Sequence, residues 1–137
     1  MSTTTTPSPS LVDAVTHGPG GLEIRREAGA LGATIRGVDL AQGVDDDVFA
    51  AIRAAFLEHL VIAIKGQQAM TPDDQLAFAA RWGEVTIHPY VPSIEGHPGV
   101  MKVYDPTPVT VTWHSDTTHA ARPPAITMLL GLSLIHI

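Results

Sequence analysis

The stretch Trp113-His114-Ser115-Asp116 decides how the rest of this chain is interpreted. On a β-strand, successive side chains point to opposite faces, so His114 and Asp116 would share one face. An imidazole and a carboxylate placed in this way supply two of the three ligands of the 2-His-1-carboxylate facial triad that holds non-haem Fe(II). The third ligand, a distant His, is expected much later, whereas the sequence ends at Ile137. On its own, His-x-Asp also fits an ordinary surface strand, and both interpretations stay open at this point.

Three further features carry side chains that could bind a ligand. His88-Pro89-Tyr90 follows a predicted helix and a glycine turn, a place where a histidine is either solvated or functional. His119 follows His114 by five residues, an odd spacing that would put the two imidazoles on opposite faces of a strand, so we expect His119 to line a pocket or to be exposed. Arg122 could bind an anion, but Pro123-Pro124 more simply marks a turn into the next strand.

Composition excludes several classes of protein. The net charge of -6 argues against a nucleic-acid binder, because phosphate binding needs clustered Lys and Arg. The absence of Cys excludes disulfides, thiolate metal sites and cysteine nucleophiles, and it suits a reducing cytoplasm. The N-terminus lacks the regions of a secretory signal, and no apolar run reaches the roughly 18 residues that cross a membrane. Nucleophile-elbow, P-loop and dinucleotide-binding motifs do not occur. We therefore predict a cytoplasmic protein with no nucleic-acid or membrane partner.

Patterning predicts an α+β chain after a disordered tail at residues 1–21, which includes a Gly-rich linker at residues 17–21. Asp45 is expected to open a helix with an apolar stripe, and Thr71 a second helix with a capping box. The stripe of the first helix comprises Val48, Ile52, Ala55, Phe56 and Leu60, and the second helix turns Leu76, Ala79 and Ala80 inward. Strands are expected at residues 22–26, 33–40, 60–64, 100–104 and 126–130, the third of them buried on both faces.

Several motifs follow one another in a fixed order along the chain. They are, in order, Leu31-Gly32-Ala33-Thr34-Ile35-Arg36-Gly37-Val38-Asp39-Leu40, the amphipathic helix that Asp45 opens, the strand at residues 61–65, Thr71-Pro72-Asp73-Asp74-Gln75-Leu76-Ala77-Phe78-Ala79, Arg81-Trp82-Gly83-Glu84, His88-Pro89, Trp113-His114-Ser115-Asp116 and Pro123-Pro124. Taken together, this order resembles the taurine dioxygenase/2,4-D dioxygenase (TauD/TfdA) family. The resemblance covers about residues 22–131, and an ordered series is far more specific than any single motif.

The resemblance implies an Fe(II)- and 2-oxoglutarate-dependent dioxygenase. The implied fold is an incomplete double-stranded β-helix (jelly roll) with flanking N-terminal helices. By position, His114 and Asp116 would be the first two iron ligands. His88, together with Tyr90, would contact the anionic head group of a small substrate, since an imidazole can donate a hydrogen bond to such a group. The reaction would consume O2 and convert 2-oxoglutarate to succinate while a substrate C–H bond is hydroxylated.

The departures from the family pattern limit these expectations. Taurine enzymes carry an Asn three residues before the motif's His, and the nearest equivalents here are the residues from Thr110 to Thr112. Those enzymes also carry a Tyr two residues after the His-Pro pair, where this chain has Val91 and its own Tyr90 comes one place early. A different sulfonate, a sulfate ester or a carboxylate is therefore as good a candidate substrate as taurine.

The C-terminal parts of the family pattern are also missing. The Gly-Gly-Asp-Thr segment and the later His and Arg do not occur, so the residues that bind 2-oxoglutarate are expected after residue 131. We predict that residues 22–131 are the N-terminal part of a dioxygenase domain and that residues 132–137 are a non-native tail. As it stands, the chain is expected to be inactive. A non-catalytic jelly-roll module that binds an anion is the alternative, and a homo-oligomer is left open for a full-length protein.

Overall fold

A four-stranded mixed sheet with the order β1-β2-β3-β4 forms the first part of the structure, a computed structural model that describes residues 14–103 and 113–131. The strands are β1 (Val15–His17), β2 (Glu23–Arg26), β3 (Ala33–Arg36) and β4 (Ile62–Ile64). The first three pair antiparallel, and β3 and β4 pair parallel. A parallel pair needs a long crossover, which here is the helix α1 (Asp46–His59).

Helix α1 covers one face of the sheet and supplies much of its core. It contacts β3 and β4, and its buried side chains Val48, Ile52 and Ala55 recur at helical spacing. Leu22, Ile35 and Ile52 are fully buried. Three of the five residues in the predicted stripe are thus buried, and Phe56 is half-buried.

Leu60, the last member of the predicted stripe, is a correction. It is 61% exposed and adopts a left-handed conformation with φ of 64°. The helix ends at His59, and the N–H of Leu60 donates to the carbonyl of Phe56 at 2.7 Å. Leu60 therefore caps the helix as it turns away from the core, and it continues neither the helix nor its apolar face.

The start of α1 is as predicted. The Asp45 carboxylate accepts a hydrogen bond from the N–H of Val48 at 2.8 Å, which satisfies one of the free donors of the first turn. Asp46 and Asp47 then lie next to the positive end of the helix dipole.

The strands differ from the prediction in three places. Residues 15–17 form β1 within the expected disordered tail, because their backbone groups pair with β2 in the register Val15 to Arg25. The strand predicted over residues 33–40 ends at Arg36, because Gly37 turns the chain with φ of 84°. The strand predicted to be buried on both faces has one open face among the described residues, since α1 packs on one side of it and Ala63 is exposed.

The second compact unit of the chain begins at Met70 and opens with helix α2 (Pro72–Ala80). The predicted capping box is present: the Thr71 hydroxyl accepts from the N–H of Asp74, and the Asp74 carboxylate accepts from the N–H of Thr71 at 2.8 Å. The hydrogen bonds from Thr71 to this carboxylate lower the pKa of Asp74 below its ordinary range.

The inward face of α2 differs from the predicted one. Phe78 is its buried residue, whereas Leu76 and Ala79 are half-buried and Ala80 is exposed. Phe78 also meets Trp82 edge-to-face, with ring centroids 6.1 Å apart. A single aromatic ring thus takes the buried position that the sequence pattern assigned to three smaller side chains.

Regular strands are absent from residues 81–103 and 113–131. The strands predicted at residues 100–104 and 126–130 are therefore not seen, apart from residue 104, which lies outside the described residues. In residues 126–130, half-buried and exposed side chains still alternate, as on a strand with one covered face. What these residues lack is a hydrogen-bonded partner strand within the described part of the chain.

The α+β class is confirmed by the mixed sheet and two helices. No helix in the described ranges is long and apolar enough to cross a membrane.

Candidate functional site

His114 and Asp116 lie next to each other in space. The Nε2 atom of His114 is 3.3 Å from Oδ1 of Asp116, and the two side chains are 54% and 59% exposed. Residues 113–115 form no strand, and Asp116 opens a turn that runs to His119. The predicted proximity is therefore present without the strand from which it was argued.

The spacing of these two atoms suits a shared divalent metal ion. Side-chain ligand atoms typically lie about 2.1 Å from such an ion, so two ligands at right angles are about 3 Å apart. The observed 3.3 Å fits this arrangement. Within residues 14–103 and 113–131, no group of three His, Cys, Asp or Glu side chains could hold a metal. A metal ion held between these two side chains would need at least one further ligand from outside the described residues.

Thr117, directly after Asp116, has an unusual conformation that the sequence analysis missed. Its φ is 49°, a left-handed value that β-branched residues rarely adopt, and its buried Oγ1 has no hydrogen-bond partner within residues 14–103 and 113–131. The turn is closed by the N–H of Ala120, which donates to the carbonyl of Thr117 at 3.0 Å. Such strain costs on the order of 1–3 kcal/mol and tends to occur at functional sites. The sequence does not predict this conformation, because threonine rarely adopts left-handed backbone angles.

His88 is held by the backbone that follows it. Its Nδ1 accepts hydrogen bonds from the N–H groups of Tyr90 at 3.1 Å and Val91 at 2.9 Å. Because Nδ1 accepts, the ring proton resides on Nε2, which is therefore a donor. A ring nitrogen that donates suits an anion such as a sulfate or carboxylate group. The only sequence hint of this turn is Pro89, which has no N–H and a fixed φ.

Tyr90 accompanies His88 on the protein surface. The two rings meet edge-to-face with centroids 6.1 Å apart, and Tyr90 is 82% exposed. The structure therefore brings together the two predicted substrate-binding residues, as it does the two predicted metal ligands. Of the other candidates, His119 and Arg122 are both exposed.

A separate cleft of about 410 Å³ lies in the first unit and contains none of the predicted site residues. Its walls are formed by Arg36, Gly37, Val38, Asp39, Lys65 and Gly66. It lies at the carboxyl ends of the parallel strands β3 and β4, where the loops after the two strands meet.

Comparison with known proteins identifies the family. The sequence model of the "Taurine catabolism dioxygenase TauD, TfdA family" matches residues 23–134. An alkylsulfatase of Acinetobacter baylyi is 32% identical over 112 residues, which cover 81% of this chain and 35% of the relative. An alpha-ketoglutarate-dependent sulfate ester dioxygenase of Pseudomonas putida is 33% identical over 109 residues, which cover 79% and 36%.

Among solved structures, a taurine dioxygenase from Burkholderia xenovorans superposes with a TM-score of 0.53 and 33% identity. The alignment covers 58% of this chain and 28% of that protein. The chain thus spans about a third of the length of the two curated relatives. The resemblance drawn from the ordered motifs is confirmed, and the chain belongs to the TauD/TfdA family of dioxygenases.

Proposed function

We propose that this chain is the N-terminal part of an Fe(II)- and 2-oxoglutarate-dependent dioxygenase that hydroxylates a small anionic substrate. The observation that carries the proposal is the 3.3 Å approach of His114 and Asp116 in a chain of this family. We further propose that the complete domain is a jelly roll, of which the mixed sheet and the two helices are one part.

Among anionic substrates, a sulfate ester is the preferred candidate. Two relatives are named as an alkylsulfatase and a sulfate ester dioxygenase, and each aligns with about four fifths of this chain. A sulfate ester carries a single negative charge on oxygens that accept hydrogen bonds. The Nε2–H of His88 is a donor of the kind that such a group needs, and the exposed Tyr90 hydroxyl is a second donor beside it. A sulfonate or a carboxylate is the alternative for the same donors.

His114 and Asp116 would hold Fe(II) with their Nε2 and carboxylate oxygen atoms, and a third ligand would come from outside the described residues. Iron and 2-oxoglutarate, when bound, would supply the oxidation: one oxygen atom of O2 enters the substrate C–H bond, the other enters succinate, and CO2 is released. His88 and Tyr90 would hold the charged end of the substrate. Holding that end leaves the alkyl chain as the part of the substrate available for oxidation.

A titration of the full-length protein with Fe(II) and 2-oxoglutarate tests the ligand assignment. We expect a weak visible charge-transfer band that disappears in His114→Ala and in Asp116→Ala. His119→Ala is the matched control, since it removes a neighbouring exposed imidazole, and it should keep the band. A band of wild-type intensity in either ligand variant would refute the assignment.

A non-catalytic module that binds an anion through His88 is the second candidate, because the donor at Nε2 needs no metal. Its signature would be binding of hexyl sulfate by a full-length protein that shows no charge-transfer band and no turnover of 2-oxoglutarate.

With two ligands, the 137-residue chain itself should hold iron weakly and turn over little or no 2-oxoglutarate. The cytoplasmic location and the possibility of a homo-oligomer stay predictions.

A further inference from the structure

The segment from Val85 to Val100, which carries His88, begins and ends at neighbouring positions in space. Gly99 lies against Val85: a Cβ at Gly99 would be 2.5 Å from Cγ1 of Val85, so only glycine fits this approach. The φ of 91° at Gly99 also favours glycine. Residues 85–100, called the His88 loop below, therefore form a loop whose two ends touch.

The returning half of the His88 loop is bonded to itself. Four hydrogen bonds of 2.8–3.1 Å close it: Ile94 N–H to Val100 carbonyl, His97 N–H to Ile94 carbonyl, Val100 N–H to His97 carbonyl, and Gly99 N–H to the Ser93 hydroxyl. A segment with this many internal bonds has a defined shape although it contains no helix or strand. An anchor within residues 93–100 can therefore fix this half of the loop, and the close approach of Gly99 to Val85 connects it to the half that carries His88.

His97 provides such an anchor. Its Nε2 lies 3.3 Å from Oδ1 of Asp73 in the first turn of α2, and its Nδ1 lies 2.9 Å from the carbonyl oxygen of Glu95. His97 thus binds the loop's own backbone with one nitrogen and the helix with the other.

The helix end that receives His97 is itself well fixed. The capping box between Thr71 and Asp74 closes the first turn of α2, and Phe78 is buried further along the same helix. A loop that is tied to this turn takes its position from the helix.

We propose that Asp73 and His97 are positioning residues that anchor the His88 loop to α2 and thereby fix the orientation of the His88 ring. The effect on substrate rests on the proposed function, in which His88 contacts the anionic group. Neither residue needs to touch substrate or metal. His97 was absent from the predicted site, because its role arises from its contact with residue 73 and from no motif.

Amide hydrogen exchange of the 137-residue chain tests the anchor without substrate, iron or activity. Asp73→Ala should speed exchange at the amides of Ile94, His97 and Val100. Asp73 is 85% exposed, so solvent screens the pair, and we expect a modest increase of about two- to fivefold. Asp73→Glu keeps the carboxylate and should restore slow exchange.

Asp47→Ala is the matched control, because Asp47 occupies the same second position of α1 that Asp73 occupies in α2. Both changes remove the favourable interaction of a carboxylate with the helix dipole. The anchor is supported if only Asp73→Ala loosens the His88 loop. It is overturned if Asp73→Ala leaves the three amides unchanged, or if Asp47→Ala speeds them equally.

The orientation of His88 is measured separately, from the ¹⁵N chemical shifts of its two ring nitrogens. Wild type should show Nδ1 as an acceptor and the proton on Nε2, and His97→Ala should give a mixture of the two forms. An unchanged His88 ring in a loosened loop would overturn the positioning role.

Kinetics of the full-length enzyme with hexyl sulfate then separate this inference from the proposed function. For His97→Ala we expect KM to rise while kcat at saturating substrate is kept, since the oxidation itself does not use His97. If the wild-type enzyme shows no turnover, the proposed function fails. Amide hydrogen exchange and the ¹⁵N shifts of the His88 ring then still test whether Asp73 and His97 anchor the loop. If the wild-type enzyme oxidises hexyl sulfate and His97→Ala leaves its KM unchanged, the positioning role of His97 is refuted while the proposed function stands.

Discussion

Gln67 offers the sharpest test of what holds the first unit together. Its side chain is buried and makes three hydrogen bonds: its amide nitrogen donates to the carbonyls of Val38 and Lys65, both at 2.8 Å, and its oxygen accepts from the N–H of Leu40 at 2.9 Å. One amide thus joins the loop after β3 to the loop after β4. Replacement by leucine, which has a similar size, removes all three bonds and leaves little empty space.

The expected loss in free energy of unfolding follows from that count. A typical intramolecular hydrogen bond contributes about 1 kcal/mol net, so three bonds give about 3 kcal/mol. The true figure is higher where a partner stays buried and unpaired, as at the N–H of the buried Leu40, and lower where water reaches the carbonyls. A loss of about 3 kcal/mol is a large share of the roughly 5–15 kcal/mol that typically stabilises a domain.

Urea unfolding followed by far-UV circular dichroism measures this loss. Gln68→Leu is the matched control, because Gln68 is the same residue type, adjacent in sequence and exposed. We expect Gln67→Leu to unfold at a clearly lower urea concentration with an unchanged slope, and Gln68→Leu to stay within about 0.5 kcal/mol of wild type. If the two variants are equally stable, the three bonds do not join the loops as argued.

Two further predictions concern the second unit. The hydrogen bonds from Thr71 lower the pKa of Asp74 in the folded protein. The ionised Asp74 therefore stabilises the start of α2 at pH values above the ordinary pKa of a carboxyl group, and this stabilisation is lost as the pH falls below about 4. Amide exchange in the first turn of α2 should show that loss in wild type and not in Asp74→Asn; the same pH dependence in both proteins would contradict it. At Thr117, the buried hydroxyl has no hydrogen-bond partner in the part of the chain that the structure describes. Thr117→Val keeps the shape of the side chain and should therefore raise the free energy of unfolding by about 1 kcal/mol in metal-free protein. A lower urea midpoint for Thr117→Val would show that the hydroxyl is in fact hydrogen-bonded.

The features that local chemistry determines were predictable from the sequence. Asp45 and Thr71 start the two helices because each side chain bonds a backbone N–H three residues ahead, a contact that needs no other part of the chain. Features that depend on distant partners were not. Residues 15–17 form a strand only because β2 lies beside them, and residues 126–130 alternate like a strand without a described partner.

The candidate site divides in the same way. The closeness of His114 and Asp116 was predictable, since side chains two residues apart meet both on a strand and in the turn that the chain adopts here. The donor state of His88 and the strain at Thr117 were not, because both depend on the path of the backbone. The role of His97 was not predictable either, because nothing in its sequence neighbours connects it with Asp73.

The two histidines of the His88 loop show how much of the proposed site is set before any ligand arrives. At His88, Nδ1 faces two N–H donors, so that nitrogen must be free of a proton. At His97, Nδ1 faces a carbonyl oxygen, so that nitrogen must carry one. The backbone thus makes Nδ1 an acceptor in one ring and a donor in the other, nine residues apart in sequence. None of these contacts involves His114 or Asp116. On the proposed function, the orientation of the donor that receives the substrate's charge is therefore separable from iron binding, and loss of an iron ligand should not by itself abolish recognition of the anion.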